Sequence, residues 1–159
     1  MNASITIQRA TANDAHEIAI MVGELLNEIM TIIGVNAFNF SLDETKARLK
    51  EFIDQEKYFV FIAQNENADP VGFITLFEGH ALYTEGTFGI IPEFFVRPEF
   101  RSQNVGLRLV GQAKAFGSSR GWKCLEVTTP PLPQFDKTLA FYEREEFAIT
   151  GGRKLKVVL

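Results

Sequence analysis

At 159 residues, 46% of them hydrophobic and 23% charged, the chain has the size and composition of a single domain spanning 1–159, able to build a core without disulfides. A formal net charge of −4 argues against general nucleic-acid binding, which needs clustered Lys and Arg, and no apolar run approaches the roughly 18 residues needed to cross a bilayer. The lone Cys124 excludes an internal disulfide, and with no Cys/His cluster no metal is expected.

In chain order, "SITIQRA" alternates apolar and polar residues, as a half-buried strand does. The amino-terminal stretch lacks the basic and apolar regions of a signal peptide, so a cytoplasmic location is expected. A helix follows in "TANDAHEIAIMVGELLNEIM", with Ile18, Met21, Val22, Leu25, Leu26 and Ile29 as its apolar stripe. The apolar loop "TIIGVNAFNF" leads to a second amphipathic helix, "SLDETKARLKEFIDQ", capped by Ser41 or Asp43. "YFVFIAQ" and "VGFITLFEG" form a hairpin about the polar turn "NENADP".

After the Gly-rich connection "HALYTEGTFG" comes the strand "IIPEFFV", in which Pro92 removes a ladder donor and predicts a bulge or splayed end. A helix is predicted over Asn104–Ser119, then a strand in "WKCLEVTT" with Cys124 as a buried structural thiol. A short helix, "DKTLAFYEREE", and a final hairpin of "FAIT" and "KLKVVL" about "GGR" complete the chain. This order predicts an α/β (α+β) fold, a mixed sheet with helices packed on it.

The junction "RSQNVG", Arg101 to Gly106, joins a strand to a helix with no acid near its start. Free backbone N–H groups there, from Gln103, Asn104, Val105 and Gly106, suit an anion, with Arg101 and Arg108 as nearby charges. The plainer reading gives Gly106 a role in helix–strand packing alone.

The element order and this motif resemble the GCN5-related N-acetyltransferase (GNAT) superfamily, whose central pattern is Arg/Gln-x-x-Gly-x-Gly/Ala. The lead-in "VRPEF" and the downstream "AFYEREEF" extend the resemblance over essentially the whole chain. It implies a mostly antiparallel central sheet, acetyl-CoA as donor, and an amine of a small molecule or peptide as acceptor, joined by direct transfer in a ternary complex. It also implies that backbone groups of Phe94, Phe95 and Val96 position the donor and that Gln103–Gly106 hold its pyrophosphate. Tyr142 matches the family's general acid, and Glu93 lies near its usual base, with His80 and Glu85 as alternatives.

Acceptor contacts are expected from Thr31–Phe40, His80–Gly89 and "TTPPLPQF". Two departures stand out: Asn104 replaces the first glycine of the pair, and Glu146 replaces a glycine after the last helix, which must therefore close differently. These departures leave open a non-catalytic acyl-CoA-sensing module of the same fold. The strand "KLKVVL" could pair across a homodimer.

Overall fold

The computed structural model describes residues 4–159. Strand β1 (Thr6–Arg9) leads through a single 3-10 turn, Ala12–Asp14, into helix α1 (Ala15–Ile33). Thr11 and Asp14 close the entry as a capping box, each side chain accepting from the other's backbone N–H. Gly34, with φ of 69°, ends α1 in the left-handed conformation, so the helix runs past the predicted loop start at Thr31. Helix α2 (Leu42–Asp54) starts at Ser41, whose Oγ accepts from the Glu44 N–H at 3.3 Å.

Strands β2 (Phe59–Gln64), β3 (Pro70–Ala81), β4 (Gly86–Ile91), β5 (Phe94–Val96) and β6 (Leu125–Val127) complete the sheet with β1. Its order is β1-β2-β3-β4-β6, with β5 also on β3; all pairings are antiparallel except β4 with β6. The central strands are buried on both faces. Phe59, Phe61, Ile74 and Leu76 pack toward helix α3 (Val105–Ser119) through Leu109, Val110 and Ala113. Val60, Ile62 and Phe73 pack the other way, against Ile18, Met21 and Leu49 of α1 and α2. Two-residue periodicity thus feeds two helical layers from one strand. Helix α4 (Asp136–Arg144) follows β6.

Three expectations are corrected. "HALYTEGTFG" is the continuation and tip of a β3–β4 hairpin, because β3 pairs as far as Ala81 with Gly86. Cys124 is exposed: it precedes a three-residue edge strand that has a neighbour on one side only. Among the described residues the final hairpin is absent, and Ile149, Leu155, Val157 and Val158 are exposed. Alternating apolar residues favour a strand, but a strand also needs a partner edge, and neither "FAIT" nor "KLKVVL" pairs.

Candidate active site

The site begins with a misfit between strands. Phe77 of β3 lies opposite Ile90, whereas Ile74 lies opposite Phe94, so the β4–β5 side carries one extra residue where Pro92 and Glu93 pass Thr75. This is the bulge that Pro92 announces. Thr75 mends it: its N–H donates to the Glu93 carbonyl at 2.9 Å, and its Oγ1 accepts from the Glu93 N–H at 3.0 Å. Beyond the bulge β5 stays on β3, and β6 follows β4 only as far as Val127 opposite Ile91. The sheet therefore parts between β5 and the chain after β6.

A cavity of about 650 Å³ occupies the parting, lined by Glu93–Val96, the start of α3, Leu25 and Ile29 of α1, and Phe141 and Tyr142 of α4. Alternation along β5 turns the backbone of Phe95 toward β3 and that of Phe94 and Val96 toward the cavity side, as the Thr75–Glu93 and Arg97–Val71 bonds on either flank require. Phe94 and Val96 thus turn their backbone to the cavity side, while Phe95 gives its backbone to the ladder with Phe73.

At the start of α3, Ser102 and Asn104 both take positive φ, 66° and 65°. Asn104 is the N-cap but its side chain caps nothing, and the first turn holds no acid. Among the described residues, none of the N–H groups from Ser102 to Leu107 donates to a protein acceptor; the helical ladder opens with Arg108 N–H to the Asn104 carbonyl, at 3.0 Å. A helix start left this open presents partial positive charge to the cavity. Asparagine tolerates the left-handed backbone where the glycine of the pattern is missing.

Of the two predicted cations Arg101 lines the cavity, with its charge paired inside the protein, and Arg108 does not line it. Arg101 Nε donates to the Val96 carbonyl at 2.8 Å, Nη2 pairs with Glu28 at 2.9 Å, and the guanidinium lies over the Phe95 ring at 5.6 Å. Arg97 likewise pairs with Glu24 at 2.8 Å, so two arginines four residues apart fasten the loop to two glutamates four apart on α1. Arg108 donates to the Ile5 carbonyl, tying α3 to the chain just before β1, outside the cavity. Gln103 binds the Glu99 carbonyl through its side chain at 3.2 Å. A Cβ on Gly106 would lie 3.2 Å from the Phe94 ring and 3.4 Å from the Phe141 ring, so strand, α3 and α4 pack closely at this glycine.

Glu93 and Tyr142 both line the cavity. Desolvation raises the Glu93 carboxyl above the ordinary range, against lowering by hydrogen bonds from Thr75 and Tyr58. Tyr142 is 5% exposed, with its ring centroid 6.0 Å from that of Phe94, and burial pushes its hydroxyl up. Among the described residues the hydroxyl makes no hydrogen bond, and no fully buried side-chain oxygen is left without a partner. It therefore opens on free space. His80 and Glu85 belong to the far end of the β3–β4 hairpin and do not line this cavity.

The model of the Acetyltransferase (GNAT) family matches residues 21–147. The chain belongs to that family. It is an N-acetyltransferase of mixed α/β fold with a mostly antiparallel sheet flanked by helices. It is 27% identical over 128 residues to an uncharacterized N-acetyltransferase, YhfO, of Bacillus subtilis (strain 168), covering 79% of this chain and 78% of that protein. In fold it is similar to a GCN5-related N-acetyltransferase from Ralstonia eutropha JMP134, with TM-score 0.78, 15% identity and coverage of 97% and 99% of the two chains. It is also similar in fold to the aminoglycoside acetyltransferase meta-AAC0020 from an uncultured soil metagenomic sample, with TM-score 0.73, 21% identity and coverage of 98% and 96%.

In this GNAT chain α4 ends on a left-handed residue. Glu146 has φ of 73° and takes the left-handed position that glycine usually fills; Phe147 N–H bonds the Tyr142 carbonyl at 3.0 Å and Glu146 N–H the Glu143 carbonyl at 3.1 Å. The helix closes as a Schellman motif despite the substitution, which corrects the expectation of a different closure. Lys114 Nζ adds a bond to the Glu145 carbonyl at 2.8 Å. Two groups of site residues escaped sequence reasoning. Lys137 and Arg144 of α4 line the cavity, and their seven-residue spacing across Phe141 was the available signal. Thr75 and Tyr58, behind Glu93, carried no signal, since both read as ordinary strand residues.

Proposed function

We propose that this N-acetyltransferase takes acetyl-CoA as donor and a primary amine of a small molecule or peptide as acceptor, by direct transfer. The observation that carries this reading is the open helix start: Ser102 and Asn104–Leu107, whose N–H groups are unbonded among the described residues, border the same cavity as Glu93 and Tyr142. The donor's pyrophosphate accepts from those N–H groups, and Lys137 and Arg144 add the positive charge that Arg101 and Arg108 spend elsewhere. The outward-facing backbone of Phe94 and Val96 orients the thioester. Glu93 takes a proton from the amine, the nitrogen attacks the thioester carbonyl, the C–S bond breaks, and Tyr142 protonates the leaving thiolate. A raised carboxyl pKa suits Glu93 to that task.

Leu25, Ile29, Ile32, Pro130 and Phe135 give the cavity apolar walls, which suits an amine carried on an apolar or flat body. The His80–Gly89 segment takes no part in this wall. The test is a thermal melt with acetyl-CoA, CoA and ATP. At a hundred times its dissociation constant a ligand stabilises by about 2.7 kcal/mol. A shift with both CoA species and none with ATP is expected, followed by acetylation within an amine panel. Equal melts in all conditions would overturn the donor assignment.

A further inference from the structure

Thr75 is the one buried polar residue of the core among the described residues, set in the otherwise apolar run Phe73–Leu76. Its hydroxyl oxygen accepts from the Glu93 N–H at 3.0 Å, and its single proton has Glu93 Oε1 in reach at 3.0 Å, nearer than the Glu93 carbonyl at 3.3 Å. Tyr58, just before β2, donates to the other carboxylate oxygen, Oε2, at 3.3 Å. Its ring is itself held, 5.1 Å from Phe52 and stacked on Phe77 at 6.3 Å, and its N–H is tied to the Phe52 carbonyl. Neither hydroxyl lines the cavity, whereas Glu93 does.

The geometry points to Thr75 and Tyr58 as positioning residues that grip one carboxylate oxygen each from behind and hold Glu93 in a single orientation toward the cavity. A carboxylate has about four acceptor lobes, so the grip leaves two for an amine or an intervening water. The bulge makes this possible, because it brings the Glu93 backbone and side chain onto the same hydroxyl. Both bonds favour the ionised carboxylate and offset part of its desolvation. Removing either donor therefore moves the carboxyl pKa upward. Tyr58 is the titratable group in contact with Glu93; around the rest of the cavity stand Glu28, paired with Arg101, and Tyr142, Lys137, Arg144 and Glu145 from α4.

This inference rests on the reading of Glu93 as the base, and two readouts separate them. One is a carbon-13 NMR titration of the Glu93 carboxyl, assigned by its loss in Glu93→Gln. The other is the pH profile of kcat/KM. Thr75→Val is expected to raise both the carboxyl pKa and the acid limb of the profile by about one pH unit. Tyr58→Phe, which removes the longer bond, raises both by less, and Thr75→Ser, which keeps the hydroxyl, matches the wild type. Should Thr75→Val fail to fold, Tyr58→Phe and Thr75→Ser still decide. Carboxyl titrations of the valine and phenylalanine variants that coincide with wild type would overturn the positioning role. A moved titration beside an acid limb that persists in Glu93→Gln would instead overturn the base reading and leave the grip standing.

Discussion

Helix α2 begins with Ser41 accepting a backbone N–H and with Asp43 and Glu44 in its first turn, whereas α3 begins with an uncapped Asn104 in the left-handed conformation and no acid. The first start is compensated from within the chain, which satisfies freed N–H groups and the helix dipole together. The second leaves both uncompensated beside a cavity. Both helices pack on the same sheet, so folding alone does not explain the difference. A start that costs stability persists where something outside the chain supplies the missing charge. The same contrast separates substitutions: those on the open side should change activity and spare the fold, and those on the closed side should do the reverse.

The largest expected effect is that of Tyr142→Phe. Its hydroxyl has no hydrogen-bond partner among the described residues, so the melting curve should stay put while turnover falls about 100-fold, with little change in acetyl-CoA affinity. Steady-state kinetics beside a melt checks this, and unchanged turnover removes Tyr142 from the chemistry. Next comes Asn104→Asp, which makes the α3 start resemble that of α2. The acid should stabilise the ligand-free protein by about 0.5 kcal/mol through the helix dipole, yet weaken acetyl-CoA about tenfold by repelling its phosphates. Titration calorimetry beside a melt reads both, and a parallel change in the two would break the contrast.

On the closed side, Ser41→Ala should cost about 1 kcal/mol in urea unfolding and leave donor affinity alone. The smallest effect belongs to Glu146→Gly, which relieves a left-handed glutamate at the end of α4 and should add about 0.5 kcal/mol of stability, with kcat/KM retained.

How far the sequence carries can be followed through single residues. Ser41 is legible because a cap works within a few residues of itself, and Pro92 is legible because a missing N–H disturbs any ladder. Glu93 and Tyr142 stand out in the chain by the family resemblance of their surroundings, and the tertiary structure brings them to one cavity. Arg101 and Arg108 read as anion ligands for the same local reason, but a long flexible cation goes to whichever acceptor the fold brings near, here Glu28 and the Ile5 carbonyl. "KLKVVL" has the alternation of a strand and no partner among the described residues.

Sequence alone determined what depends on near neighbours: strand and helix periodicity, the caps, the bulge at Pro92 and the family motif at Arg101–Gly106. Tertiary structure alone decided which distant groups meet. Thr75 and Tyr58 reach Glu93 from 18 and 35 residues away. Gly106 is pressed between rings from β5 and α4. Periodicity reports which face of an element is buried, but only the packed sheet, parted at one extra residue, sets the atom that each side chain finds across it.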